Sequence, residues 1–199
     1  MTGESIDQGR RSLIRGAFGV AGFAMYSIPA FAAPRGRVSK TPRKVALYNV
    51  NTDERERVVY WANGGYIDDA LKRVDQLLRD HHSGEVRRIE PRLLDLLSTL
   101  SYKLGATQSF EVVSGYRSPA SNAALAKQRR GVSHDSLHIQ GMAVDVVLPG
   151  HELDAVRDAA VALRMGGVGY YPRSGFVHLD VGPVRYWEQA PERPRKTKA

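Results

Sequence analysis

Two short segments of this chain carry side chains of the types that hold a metal ion. Ser136-Leu137-His138-Ile139-Gln140-Gly141-Met142-Ala143-Val144-Asp145 supplies a histidine and an aspartate, and Phe176-Val177-His178-Leu179-Asp180 adds a second histidine. Two imidazole nitrogens and one carboxylate oxygen at about 2.0–2.1 Å from zinc leave a fourth tetrahedral position for water, the pattern of a catalytic rather than a structural site. His138, Asp145 and His178 are therefore read as ligands of one Zn2+ per chain. Residue types alone leave a second reading open, in which Asp145 caps a backbone or pairs with an arginine and the two histidines are ordinary core or surface residues.

The elements that must position these residues follow from periodicity. In a strand, side chains alternate faces, so Val177, Leu179 and Val181 point one way while Phe176, His178 and Asp180 point the other. Ala143, Asp145 and Val147 likewise share a face opposite Val144, Val146 and Leu148. Asp145 is thus a carboxylate inside a nearly apolar run, where burial without a cation or several donors is costly. Gly141 lets the backbone turn between His138 and the strand holding Asp145.

Upstream, Val45–Val50 and Arg55–Tyr60 read as strands joined at Asn51-Thr52-Asp53-Glu54. Apolar residues 67, 70, 71, 74, 77 and 78 recur at helical spacing, predicting a helix that ends near His81. His81 and His82 then belong to its C-terminus as capping or surface residues. Glu90-Pro91 opens a second helix that stops at Gly105, and Phe110–Ser114 is a short strand. Ser118-Pro119 starts a helix through Lys127, and Arg129-Arg130-Gly131 reads as a loop. His134 is placed at the rim of the site and His151 near the start of a helix spanning Glu152 to Arg164, which Gly166-Gly167 terminates. Val168–Tyr171 and Phe176–Val181 form a second hairpin around Pro172-Arg173-Ser174-Gly175.

With 199 residues the chain has room for one domain with a substantial core. It contains no cysteine, which excludes thiolate catalysis, a cysteine zinc site and disulfides. Arg10-Arg11 precedes an uncharged run of about 13 residues, Gly16 to Ile28, well short of the ~20 needed to span a bilayer. An Ala-x-Ala site follows, so residues 1–32 read as a twin-arginine export signal cut after Ala32, with no stable membrane anchor left afterwards. An uncleaved anchoring helix is the alternative. Cleavage removes three arginines and two acids, leaving the mature chain at +7. Residues 33–43 read as a linker, 44–188 as the folded domain and 189–199 as a basic disordered tail.

The motifs together resemble a known superfamily. They are Ser-x-His-x-x-Gly-x-Ala-x-Asp, Ser114-Gly115-Tyr116-Arg117-Ser118, Gly166 to Tyr171 and Val177 to Trp187, preceded by the twin-arginine segment. This set is similar to the zinc peptidases of the lysostaphin, D-Ala-D-Ala metallopeptidase and sonic hedgehog superfamily, and within it to the periplasmic murein endopeptidases of the YcbK or MepK type. The resemblance implies an α+β fold, a single domain with a small, mostly antiparallel sheet carrying the zinc site between helices. It also implies His138, Asp145 and His178 as metal ligands, and an arginine near the scissile carbonyl, a position that Arg117 matches. A guanidinium there would stabilise a developing oxyanion; the alternative for Arg117 is a structural salt bridge.

One departure bears on the proton. The dipeptidase branch places a catalytic glutamate three residues before its second histidine, where this chain has Gly175. Asp180, on the His178 strand face, is the candidate to take its place, with orientation of His178 as its other possible role. Tyr116, Ser136, Tyr170 and Tyr171 are candidate substrate contacts. The implied activity is zinc-dependent hydrolysis of peptidoglycan cross-links in the periplasm, with peptidoglycan as the partner and no nucleic acid. A DD-carboxypeptidase of the same fold and a non-catalytic wall-binding module are the competing readings.

Overall fold

The apolar stripes of three helices and the apolar alternation of the strands meet on one face of a single sheet. The computed structural model describes residues 41–128, 133 and 135–189, all within the unit formed by Val38–Ala199. The expected export segment, most of the linker, the 129–131 loop, His134 and nearly all of the tail lie outside the described residues. In chain order the elements are β1 (Arg43–Asn49), β2 (Glu54–Ala62), β3 (Gly65–Tyr66), α1 (Asp68–Leu77), α2 (Pro91–Leu104), β4 (Phe110–Ser114), α3 (Pro119–Gln128), β5 (Ala143–Val147), α4 (Leu153–Leu163), β6 (Gly167–Tyr171), β7 (Phe176–Asp180) and β8 (Arg185–Glu188).

The strands form one eight-stranded sheet in the order β3-β2-β1-β4-β5-β7-β6-β8. Pairings are antiparallel except β1 with β4 and β6 with β8. Both expected hairpins are present, and antiparallel pairing predominates as expected, in a sheet wider than the small one anticipated. The edge strands β3 and β8 were not expected from the sequence.

Helix α1 packs on β2, α2 on β1 and α4, and α4 on β6 and β7. Between them lie Leu47, Val144, Val146, Val177 and Leu179 from the strands and Val74, Leu97, Leu100 and Val156 from the helices, each fully buried. Burying one such side chain contributes about 1.5–3 kcal/mol. Helix α3 stands apart from this core and buries Asn122. The opposite face of β5 and β7 carries Asp145 and His178. Among the described residues no helix is long and apolar enough to cross a membrane.

Helix α1 is shorter than its apolar spacing predicts, ending at Leu77 rather than near His81. Tertiary hydrogen bonds override the local signal. The Leu78 carbonyl accepts the Tyr116 N–H at 2.8 Å, and the buried Asp80 carboxylate accepts the N–H groups of His82 at 2.9 Å and Ser118 at 2.8 Å. The chain therefore leaves the helix and turns toward Gly115–Ser118, carrying His81 and His82 with it.

Candidate metal centre

In the β5–β7 register Asp145 lies directly opposite His178, so their side chains rise from the same sheet face. His138 arrives from a tight turn in which Gly141 donates to the His138 carbonyl at 3.2 Å and adopts φ +70°, a conformation that favours glycine. Three atoms converge. His138 Nε2 is 3.1 Å from His178 Nδ1, His178 Nδ1 is 2.9 Å from Asp145 Oδ1, and His138 Nε2 is 3.4 Å from the same oxygen.

The outer hydrogen bonds fix the tautomers. A carbonyl can only accept, so His138 Nδ1, 2.7 Å from the Gly115 oxygen, carries a hydrogen and its Nε2 presents a lone pair. His178 Nε2 lies 3.1 Å from Asp180 Oδ2 and donates to it, which turns Nδ1 toward the cluster centre. Burial holds His138 neutral, with its pKa below the usual histidine value despite Asp145. For His178, burial pulls the other way, but the hydrogen bonds with Asp145 and Asp180 raise its pKa above that value. Burial likewise works against ionised Asp145, yet the two histidines hold its carboxyl well below the ordinary carboxylate range. The centre thus requires a cation, either a proton on His178 Nδ1 or a metal ion in its place. The separations fit zinc, since ligands at about 2.0–2.1 Å in a tetrahedron stand roughly 3.3 Å apart. His138, Asp145 and His178, all buried, form a group able to hold a metal ion.

Asp180 is wholly buried and enclosed by donors. Its Oδ1 accepts the N–H groups of Gly167 at 3.1 Å and Gly182 at 2.8 Å, and its Oδ2 accepts Arg185 Nη2 at 2.7 Å beside His178. Burial would raise its pKa, but His178 and these donors lower it. A side chain on Gly167 would overlap the Asp180 carboxylate, so the glycine pair following α4 serves this close approach as well as ending the helix. Trp187 covers the other side of His178, with ring centroids 5.1 Å apart, and a Cβ on Gly169 would come within 2.5 Å of its indole.

Arg117 is held by its own N–H, 3.3 Å from the His138 carbonyl. Its guanidinium makes only a long contact with Asn122, 3.4 Å, and its Nε is buried without a hydrogen-bond partner. Among the described residues no carboxylate lies within ion-pair distance of Arg117, so the structural salt bridge is not formed. Burial lowers its pKa and nearby Asp145 partly restores it.

These groups open onto a cleft of about 660 Å³ that includes Arg117, Ser136, Tyr171 and Trp187 in its lining along with the three convergent residues. Two expected substrate contacts do not reach it. Tyr116 is 2% exposed, its ring in the core and its hydroxyl donating to Glu85 at 2.6 Å; burial, then this bond, pushes its pKa up to about 12. Tyr170 packs against the core and beneath the Arg157 guanidinium, 4.5 Å from its ring, because the strand alternation turns it away from Tyr171. Conversely, His81 and His82 line the cleft rather than capping α1. His151 reaches the Leu104 carbonyl at the end of α2, at 3.0 Å.

Sequence reasoning missed Arg185 and Trp187 as parts of the site. Their i, i+2 spacing would have put both on one face of a strand, had β8 been recognised.

The family profile described as Peptidoglycan L,D-endopeptidase MepK matches residues 37–187. The chain is 37% identical over 187 residues to Peptidoglycan L,D-endopeptidase MepK of Escherichia coli (strain K12), covering 92% of this chain and all of that protein. It is 40% identical over 148 residues to a protein of Haemophilus influenzae named Probable peptidoglycan L,D-endopeptidase MepK, covering 74% of this chain and 80% of that one. No solved structure matches significantly.

Proposed function

The chain belongs to the peptidase family described as Peptidoglycan L,D-endopeptidase MepK, and on that premise we propose that it is a zinc-dependent murein endopeptidase hydrolysing peptide cross-links of peptidoglycan in the periplasm. The observation that carries the metal is the convergence of His138 Nε2, His178 Nδ1 and Asp145 Oδ1, whose outer hydrogen bonds turn three electron-rich atoms onto one point. Family and relatives are peptidoglycan endopeptidases by name, which selects hydrolysis over a wall-binding module and an internal bond over a terminal D-Ala.

Zinc held by His138, Asp145 and His178 would supply Lewis acidity and lower the pKa of water in the site to ~7. The protein's own groups do the rest. Gly115 and Asp180 fix the two imidazoles. Arg117 lines the cleft with its guanidinium bound only by a long contact to Asn122, and this cation meets the scissile carbonyl oxygen as its negative charge grows. Of the two roles weighed for Asp180, its enclosure supports orienting His178. The substrate bond follows from the relatives' printed name. A D-Ala–diaminopimelate link joins two D-centres, so an L,D specificity points to the link between two diaminopimelates. Residues 1–32 deliver the chain through the twin-arginine route and are removed.

The test is digestion of purified cross-linked peptidoglycan by the mature chain, followed by separation of the products. Dimers joined through two diaminopimelates are expected to disappear, a chelator to stop the reaction and added zinc to restore it. Persistence of all dimers with the zinc-loaded protein would overturn the reading.

A further inference from the structure

With Asp180 enclosed and Gly175 bearing no side chain, neither offers a free polar group to the cleft, whereas Tyr171, at the end of β6, is a polar residue of its lining. Its ring stacks on Phe176, centroids 4.7 Å apart and planes 21° apart, which fixes its position in the cleft wall. The Trp187 indole N–H donates to the Tyr171 hydroxyl oxygen at 2.9 Å. An indole N–H can only donate, so Tyr171 accepts here and its own hydroxyl hydrogen points elsewhere. Among the described residues no acceptor takes that hydrogen.

The indole that orients Tyr171 is itself tied to the metal centre. It lies against His178 at 5.1 Å between ring centroids, in a space that exists because residue 169 is glycine. The Arg185 guanidinium, bonded to Asp180, sits 5.0 Å from the same ring. His178, Trp187 and Tyr171 therefore form one continuous packed unit. Arg117 and Tyr171, whose hydroxyl hydrogen has no acceptor among the described residues, thus line the same cleft, which also holds the three convergent atoms.

We propose that Tyr171 is a second catalytic donor, whose hydroxyl hydrogen-bonds the scissile carbonyl oxygen together with Arg117 as that oxygen becomes negative. The inference rests on the endopeptidase reading above. Tyr171 keeps its proton throughout; its contribution is a hydrogen bond that strengthens in the transition state, oriented in advance by Trp187.

The test compares wild type, Tyr171→Phe, Trp187→Phe and the double variant on a purified cross-linked dimer, with kcat, KM, zinc content and circular dichroism measured for each. Tyr171→Phe is expected to keep one zinc and a KM within about twofold, while kcat falls about 10²–10³-fold, as for loss of one oxyanion donor. Trp187→Phe, which removes the orienting N–H, is expected to lower kcat less. The double variant is expected to be no slower than Tyr171→Phe, because the indole then has no hydroxyl to hold. An unchanged kcat, an effect confined to KM, loss of zinc in Tyr171→Phe, or losses that multiply in the double variant would each overturn the proposal. An inactive zinc-loaded wild type would instead overturn the endopeptidase reading, which separates the two failures.

Discussion

Asp180 accepts from His178, from two main-chain N–H groups and from Arg185, which occupies the roughly four lone-pair sites a carboxylate offers. Such a group holds an imidazole in place and has no acceptor site left to take a proton from the cleft. Asp180→Ala is therefore expected to weaken zinc binding about 10–100-fold, with turnover recovering in excess zinc. Normal zinc affinity with turnover lost at every zinc concentration would instead make Asp180 the base. His178 gives a second prediction. Its pKa in the metal-free chain is raised above the ordinary value of about 6.5 by Asp145 and Asp180, against the effect of burial. A proton and a metal compete for Nδ1, so lowering the pH favours the proton and zinc affinity falls. Calorimetric titrations from pH 8 to 6 are expected to show weakening that begins above about 6.5 and approaches tenfold per unit; a flat profile would contradict it. At this scale the three convergent residues were legible, because alternation fixes the faces of Asp145 and His178. Tyr116 was not, since its burial is set by its N–H bonding to Leu78, a partner far away in the chain.

At the scale of elements, β8 does more than its four mostly exposed residues suggest. Arg185 closes Asp180 and Trp187 packs on His178, so a short parallel edge strand braces the candidate metal centre. Nothing in Arg-Tyr-Trp-Glu alternates apolar with polar, and the two residues of β3 are too few to show any period, so neither strand could be read locally. The hairpin of β6 and β7 was legible from its turn residues and apolar runs. The end of α1 was not, because Asp80 draws the chain away by bonds to Ser118, 38 residues on. The β6–β8 contact has a testable weak point at Gly169, where a Cβ would come within 2.5 Å of the Trp187 indole. Gly169→Ala is expected to displace the indole at a cost of about 1–3 kcal/mol, as for overpacking. Thermal unfolding and tryptophan emission check this, and an unchanged transition with unchanged emission would show that the indole is not held there.

At the scale of the folded unit, three helices cover one face of the sheet and leave the middle of β5 and β7 to present Asp145 and His178 on the other. The helical core was legible as apolar stripes, whereas the strand order, with β1 beside β4 and β6 beside β8, depends on long-range pairing that no local pattern encodes. The basic charge, +8 over the full chain, suits an anionic polymer as partner. The central claim joins one metal ion to one reaction, and titrating zinc into the metal-free mature chain while following loss of a cross-linked dimer tests it most directly. Turnover is expected to be absent without zinc, to rise linearly and to level at one zinc per chain, with no rise in Asp145→Ala. Full turnover before zinc is added, or one zinc bound with no turnover, would contradict it.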